Sequence, residues 1–220
     1  MRPYYEENGI VIYNADCREL LPLLSADLVL SDPPYGISNN CDYTRFSGGR
    51  RKPTLKQGRV WQSVIGDDAP FDPTRLLGFP NVILWGANNF SNLLPGGSWL
   101  IWDKKQDGLE GKFMSDAEVA WKSSGHGVFL FRHRWNGFNR ASARALHYHP
   151  TQKPVELMRW CLSLFPKCKA VLDPYMGSGT TLRAAKDLGR KAIGIEISEQ
   201  YCEIAAKRLA QSVFDFARNQ

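Results

Sequence analysis

The stretch Asp27-Leu28-Val29-Leu30-Ser31-Asp32-Pro33-Pro34-Tyr35 decides the fold. An apolar run that two prolines close abruptly is typical of a buried strand that ends at the edge of a sheet. Ligands of open α/β sheets bind at the carboxyl ends of the strands. We therefore expect Asp32 and Tyr35 to lie at a ligand-binding edge, although the same residues also suit an ordinary Pro-Pro loop.

The residues around this stretch predict an α/β architecture. Residues 9–16 are rich in β-branched residues and close on polar ones, which is typical of a strand, and residues 17–24 predict a short helix that Pro22 limits. A strand, a helix and the strand at 27–30 in so short a span predict a parallel pair and hence an α/β sheet. The other predicted strands are at 81–86, 98–103, 170–173 and 191–196, with edge strands at 118–121 and 127–131. The predicted helices are at 155–165, from the end of the 173–181 turn to residue 188, and at 199–211. The Ser198 hydroxyl is predicted to cap the last of these helices.

Length and composition indicate a single domain spanning residues 1–220. The hydrophobic content is 43% and the charged content 23%, as in ordinary globular chains. No apolar run reaches the roughly twenty residues of a membrane span, and the first residues lack the apolar core of a signal peptide. Five scattered cysteines without a Cys-x-x-Cys pair argue against a disulfide framework and against a zinc site. We therefore expect a protein of the reducing cytoplasm without membrane contact.

The charge of the chain favours contact with a polyanion. The net charge is +6 and the pI is near 9.1. Residues 36–60 form a polar, basic loop after the first quoted stretch, a position at which phosphate contact is favoured over a solvated insertion. The candidate DNA-binding residues in this loop are Arg45, Arg50, Arg51 and Lys52.

A second basic loop spans residues 131–149. It mixes Arg132 and Arg134 with aromatic side chains, a composition that suits the backbone and bases of a nucleic acid. An edge strand with packed aromatics and solvated arginines explains the same composition equally well.

The segment Asp173-Pro174-Tyr175-Met176-Gly177-Ser178-Gly179-Thr180-Thr181 predicts a nucleotide-binding turn between a strand and a helix. It lacks the full G-x-G-x-x-G spacing and has no Gly-Lys-Thr phosphate cradle. Its glycines let the backbone turn and approach a ligand. Glu196 closes the next strand, at about the 20-residue spacing from which an acid accepts hydrogen bonds from ribose hydroxyls. A ligand with a ribose but no pyrophosphate, such as S-adenosylmethionine, therefore fits better than NAD.

Four motifs together resemble those of the amino-directed DNA methyltransferases, which modify adenine N6 or cytosine N4. They are Asp32-Pro33-Pro34-Tyr35, His149-Pro150-Thr151-Gln152-Lys153-Pro154, the 173–181 segment and Gly194-Ile195-Glu196. Their order, catalytic motif first, is similar to that of the circularly permuted beta group. The resemblance implies a Rossmann-like S-adenosylmethionine-dependent methyltransferase fold, with a mostly parallel sheet and helices on both faces.

The resemblance also implies roles for individual residues. Asp32, Pro33, Pro34 and Tyr35 would be catalytic. Asp16 resembles the acid that meets the adenine amino group of the cofactor, although capping at the strand end explains it equally well. The implied cofactor-binding residues are Asp16, Thr151, Gln152, Lys153, Asp173, Tyr175, Gly177, Ser178, Gly179, Thr180 and Glu196.

The Asp-Pro-Pro-Tyr residues suit transfer of a methyl group to an amino group. The exocyclic nitrogen of a base is a poor nucleophile because its lone pair is delocalised into the ring. If the Asp32 side chain and the Pro33 carbonyl each accept one of its hydrogens, the nitrogen can pyramidalise toward the methyl donor. Tyr35 would stack on a base flipped out of the duplex. We therefore expect Asp32 and Gly177 in one cleft, and no Cys nucleophile of the kind that cytosine C5 methylation needs.

The expected activity is site-specific methylation of adenine N6 in double-stranded DNA, by a monomer or homodimer of the restriction-modification kind. Asp at the first motif position is commoner in adenine enzymes of the family, and cytosine N4 is the alternative. Rival interpretations are an RNA or glutamine methyltransferase and a non-catalytic DNA-binding relative. The chain has no large insert between residues 61 and 149 for target recognition. So compact a form suits a phage or prophage enzyme, or one without a nuclease partner.

Overall fold

The computed structural model describes residues 1–38, 64–105, 111, 115–136, 139–140 and 152–211. The predicted DNA-contacting residues Arg45, Arg50, Arg51 and Lys52, and the predicted cofactor residue Thr151, lie outside these described residues. In chain order the elements are β1 (Tyr5–Glu7), β2 (Ile10–Asn14), α1 (Cys17–Leu20), β3 (Leu28–Ser31), β4 (Val82–Trp85), β5 (Ser98–Asp103), β6 (Ala117–Lys122), β7 (Val128–Arg132), β8 (Trp135–Asn136), β9 (Asn139–Arg140), α2 (Val155–Ser163), β10 (Ala170–Asp173), α3 (Thr180–Asp187), β11 (Lys191–Glu196) and α4 (Glu199–Ala210).

The chain forms two compact units, one of Met1–Ser31 with Lys153–Gln220 and one of Asp32–Gln152. In the first unit the strands follow the order β1-β2-β11-β10-β3. The pairs β2 with β11, β11 with β10, and β10 with β3 are all parallel. Strands β2 and β3 therefore run in the same direction, but the prediction that they pair is wrong, because β11 and β10 lie between them.

Helices pack on this parallel sheet. Helix α2 packs on α3, α3 contacts β10 and β11, and α4 contacts β2 and β11. Gly194 makes the approach of α3 possible, because a Cβ added there would lie 2.7 Å from Cδ2 of Leu182 and 2.5 Å from Sδ of Met176. The predicted fold class, a mostly parallel α/β sheet with helices, is confirmed.

Strand β1 is not among the predicted elements, and it pairs antiparallel with β2. The two strands are joined by Asn8-Gly9, and both residues have positive φ, 51° and 79°. Asn-Gly with two left-handed residues is the signature of a type I′ hairpin turn. The signal was therefore present in the sequence.

In the second unit the strands follow the order β4-β6-β5-β7. Strand β6 is antiparallel to both β4 and β5, while β7 is parallel to β5. The predicted edge position is therefore wrong for β6, whose Ala120 and Trp121 are buried between two neighbours. Strands β8 and β9 form a separate two-stranded sheet.

None of the helices in the described part of the chain has the length and hydropathy that crossing a membrane requires.

Candidate active site

Two segments far apart in sequence meet in the first unit at the carboxyl ends of β3 and β10. The strands pair in parallel, with Leu28 opposite Val171 and Val29 opposite Leu172. At the ends of the two strands, just after these paired residues, the Ser31 hydroxyl donates a 2.6 Å hydrogen bond to Oδ1 of Asp173. Both residues are buried. The strand that leads into the Asp-Pro-Pro-Tyr turn is thus tied to the strand that leads into the glycine-containing turn.

The glycine-containing turn has the backbone that its glycines predict. Gly177 and Gly179 have φ of 50° and 78°, in the left-handed region. The Gly179 N–H donates to the Met176 carbonyl at 2.8 Å and closes the turn before α3. A Cβ added at Gly179 would lie 2.9 Å from Cβ of Ala205. Packing of α4 thus explains Gly179, in addition to the turn itself.

Glu196 faces this turn from the end of β11. Its Oε2 accepts the Gly177 N–H at 3.0 Å and its Oε1 accepts the Ser198 N–H at 2.8 Å. Burial raises the pKa of Glu196, and the hydrogen bonds from the backbone oppose that shift. The predicted capping role of the Ser198 hydroxyl is wrong, since Ser198 makes no side-chain cap and its backbone N–H bonds to Glu196 instead.

These residues fit the ribose of S-adenosylmethionine. A carboxylate has about four lone-pair sites for hydrogen bonds, and the backbone N–H groups of Gly177, Ser198 and Ile197 hydrogen-bond to Glu196. Glu196 therefore keeps acceptor capacity for a ribose hydroxyl, and its position is fixed by the turn that would lie against the ligand.

Three other predicted cofactor residues have structural partners of their own. The Ser178 hydroxyl accepts from Arg208 at 2.9 Å. The Tyr175 side chain hydrogen-bonds to Cys17, and burial raises the pKa of its phenol. Asp16 is the N-cap of α1, where Oδ1 accepts the Arg18 N–H at 2.9 Å. Capping by Asp16 is thus observed, and contact with adenine stays a prediction.

Three further predicted cofactor residues are buried. Thr180 begins α3 and is buried, as are Gln152 and Lys153. The Gln152 carbonyl accepts the indole N–H of Trp135 at 3.2 Å.

The predicted DNA-contacting arginines of the second basic loop are at the surface. Arg132 and Arg134 are exposed, with Arg132 forming a 3.4 Å ion pair with Asp103. Trp135, by contrast, is buried. Arg132 is the last residue of the edge strand β7 and Trp135 is the first residue of β8, so these residues lie in strands and not in a loop, as the alternative interpretation of an edge strand with a packed aromatic predicted.

The Asp-Pro-Pro-Tyr turn opens the second unit. The Tyr35 phenol donates a hydrogen bond to Oδ1 of Asp32. Gly86, which follows β4, lies directly under the Tyr35 ring, because a Cβ added there would be 2.0 Å from Cε1 of Tyr35. Pro33 is buried and Asp32 is part-exposed. The turn thus presents a carboxylate whose orientation is set by the tyrosine beside it.

Sequence reasoning missed Asp67, whose buried carboxylate accepts backbone N–H groups of this turn. It follows the predicted basic loop as one of two consecutive aspartates, and no spacing or motif distinguishes it from its neighbour.

A parallel α/β sheet with a glycine-containing turn and an acid at the end of the next strand is typical of a Rossmann-like fold that binds a nucleoside-containing ligand. Residues 50–207 match the family model described as DNA methylase, the N6/N4 methyltransferases. This match covers well over half of the chain, so the chain belongs to that family. By class it is an S-adenosylmethionine-dependent DNA methyltransferase.

Similar proteins agree with this assignment. The Type II methyltransferase M2.LlaDCHI of Lactococcus lactis subsp. cremoris is 26% identical over 254 residues, which cover 94% of this chain and 92% of the relative. The Type II methyltransferase M2.DpnII of Streptococcus pneumoniae is 26% identical over 253 residues, with the same shares of 94% and 92%.

Solved structures show the same fold. The M1.HpyAVI-SAM complex is 23% identical, with 90% of this chain and 99% of that chain covered and a TM-score of 0.53. The PvuII DNA methyltransferase (cytosine-N4-specific) is 14% identical, with 96% and 90% covered and a TM-score of 0.58.

Proposed function

We propose that this chain transfers a methyl group from S-adenosylmethionine to the N6 amino group of adenine in double-stranded DNA. The part-exposed Asp32 at the end of a buried strand, held by the Tyr35 phenol, is the observation that carries the proposal. Family membership supports the DNA methyltransferase class, and the choice of adenine comes from Asp at the first position of the motif. Cytosine N4 is the alternative base.

The residues of the turn activate the amino group. The Asp32 carboxylate and the Pro33 carbonyl accept its two hydrogens, which frees the nitrogen lone pair from the ring. The positive charge that develops on nitrogen is stabilised by the Asp32 carboxylate, which also accepts the proton that the nitrogen loses. Tyr35 offers an aromatic surface to the flipped base. S-adenosylmethionine, when bound, supplies an electrophilic methyl group on a sulfonium.

The residues of the first unit bind the methyl donor. Glu196 accepts the ribose hydroxyls, and Gly177 keeps the backbone close to the ligand. Asp16 and Lys153 complete the proposed site, the acid toward the adenine amino group and the cation toward the carboxylate of the ligand.

DNA contacts come from basic residues. Arg132 and Arg134 are exposed, as contact with phosphates requires. The loop residues Arg45, Arg50, Arg51 and Lys52 are proposed to act in the same way. The beta-group motif order, a cytoplasmic setting and a compact enzyme of phage or prophage type belong to the same proposal.

The test is methyl transfer from labelled S-adenosylmethionine to unmethylated double-stranded DNA, followed by digestion to nucleosides and mass spectrometry. The expected product is N6-methyldeoxyadenosine. N4-methyldeoxycytidine would overturn the choice of base, and label found only in RNA or protein would overturn DNA as the substrate. Sequencing of the methylated positions then gives the recognition site.

A further inference from the structure

The buried carboxylate of Asp67 is bonded to the backbone immediately after the catalytic motif. Its Oδ1 accepts the N–H groups of Tyr35 and Gly36, both at 2.9 Å, and that of Ile37 at 3.4 Å. Asp67 is 5% exposed. Because a charged acceptor shared by consecutive amides is strongly bonded, this single carboxylate fixes three peptide units.

The backbone of the turn has a conformation that directs its N–H groups toward the Asp67 carboxylate. Gly36 has φ of 74°, and a left-handed residue after an ordinary one turns successive N–H groups toward one point. A Cβ added at Gly36 would lie 2.5 Å from the Ala69 carbonyl oxygen, so the segment around Asp67 packs tightly on the turn. The Ser38 N–H closes the contact with a 2.8 Å bond to the Asp67 carbonyl.

The conformation of the Asp-Pro-Pro-Tyr motif is therefore restrained both before and after Tyr35. The rings of Pro33 and Pro34 fix φ before Tyr35, and Asp67 fixes the backbone at and after it. Since the Tyr35 phenol bonds to Asp32, a shift of the Tyr35 backbone would be passed to the carboxylate that accepts the target amino group.

We propose that Asp67 is a positioning residue for methyl transfer, which holds Tyr35 and through it Asp32 in the reactive orientation. The inference rests on the proposed function. Asp67 does not touch the base or the methyl donor in this proposal, and it acts only through the turn.

The experiment compares Asp67→Ala, Asp67→Asn and Asp68→Asn with the wild-type chain in DNA methylation, S-adenosylmethionine binding and thermal unfolding. Asp68 is the matched control, since it is the adjacent acid and is exposed. In Asp67→Ala we expect kcat to fall about 100-fold with the Kd for S-adenosylmethionine unchanged, because a misplaced acceptor slows the reaction. Asp67→Asn keeps an oxygen acceptor without its charge, so its kcat lies between those of Asp67→Ala and the wild type. Asp68→Asn keeps full activity.

The contrary outcomes distinguish failure of the positioning role of Asp67 from failure of the proposed function. If the wild-type chain methylates DNA and both Asp67 variants match its kcat, the positioning role is wrong and the proposed function stands. If both variants fail to fold, or lose cofactor affinity in step with kcat, Asp67 is a general stabilising residue and the inference is overturned. If the wild-type chain transfers no methyl group to DNA, it is the proposed function that fails.

Discussion

The Ser31 hydroxyl donates its hydrogen bond to Asp173 across the two strands that lead into the Asp-Pro-Pro-Tyr turn and the glycine-containing turn. The donor and the acceptor are both buried, at 0% and 3% exposed. Asp173 Oδ1 also accepts the Tyr175 N–H at 3.2 Å. One carboxylate thus holds the end of β3 and the start of the glycine-containing turn, and Asp32 is the next residue of the chain after Ser31.

Ser31→Ala is expected to destabilise the chain by about 1.5–3 kcal/mol, because the buried Asp173 carboxylate loses one of its hydrogen bonds. Urea unfolding measures the change. Ser163→Ala is the control, since the Ser163 hydroxyl bonds to the Trp160 carbonyl near the surface, and its effect should stay within about 0.5 kcal/mol. Equal stabilities of the two variants would contradict the prediction.

Asp32→Ala is expected to reduce methyl transfer by at least about 100-fold, because it removes an acceptor placed where positive charge develops. The Kd for S-adenosylmethionine should be unchanged, since Glu196 and Gly177 are intact. Single-turnover methylation and calorimetric binding measure the two quantities. Transfer at the wild-type rate would show that Asp32 does not activate the amino group.

Tyr35→Phe keeps the ring on Gly86 and removes only the donor to Asp32. We expect kcat to fall about tenfold, the effect of losing one hydrogen bond to a charged group, on the order of 1.4 kcal/mol. The control is Tyr4→Phe, which removes an exposed phenol. An unchanged kcat in Tyr35→Phe would mean that Asp32 is oriented without the phenol.

Gly86→Ala is expected to displace the Tyr35 ring, since the new Cβ would lie 2.0 Å from it and the residue has φ of 70°. Overpacking of this kind costs about 1–3 kcal/mol of stability, and kcat should fall about 100-fold with the misplaced tyrosine. Gly78→Ala is the control, because a Cβ there meets no atom within 4 Å. Thermal unfolding and methylation kinetics of both variants test this prediction. A fully active Gly86→Ala variant would exclude displacement of the Tyr35 ring.

The affinity for S-adenosylmethionine is expected to depend on the ionisation of Glu196. Burial raises its pKa above the ordinary value of 4.5. The charged carboxylate is needed to accept ribose hydroxyls, so affinity falls as the pH decreases toward this raised pKa.

The stability of the unliganded chain changes with pH in the direction opposite to that of the affinity for S-adenosylmethionine. A raised pKa means that the folded chain binds the Glu196 proton more tightly than the unfolded chain does. The contribution of Glu196 to stability therefore increases as the pH falls through the raised pKa. Calorimetry at pH values from neutral down to the ordinary carboxyl pKa of 4.5 tests the binding prediction, with Glu196→Gln expected to show weak affinity that does not vary with pH. A constant wild-type affinity over this interval would contradict it.

The local elements were predictable because their signals are local. Strands β5 and β11 match their predicted ranges, and β3, β4 and β10 are within about one residue, since buried runs bounded by turn residues define them. The end of α3 follows from Gly189, which has φ of 65°. Helix α2 ends earlier than predicted, at Ser163.

The strand order was not predictable from these signals. Adjacency in a sheet depends on which surfaces pack after the chain has folded, so nothing between β2 and β3 indicates that β11 and β10 insert there. The same holds for β6, whose mixture of apolar and charged residues does not indicate that it lies between two neighbouring strands. The roles of the 36–60 loop stay predictions, since most of that loop lies outside the described residues.

The sequence alone indicated the class of this protein, because the Asp-Pro-Pro-Tyr residues, the glycine-containing turn and the strand that Glu196 ends are short local motifs that can be recognised from residue type and order. Only the tertiary structure decided what holds them in place. The hydrogen bonds between Ser31 and Asp173 and between Asp67 and the Asp-Pro-Pro-Tyr turn join residues distant in the chain. A serine or an aspartate has no pattern in sequence that identifies such a partner, since the geometry of the bond exists only after folding.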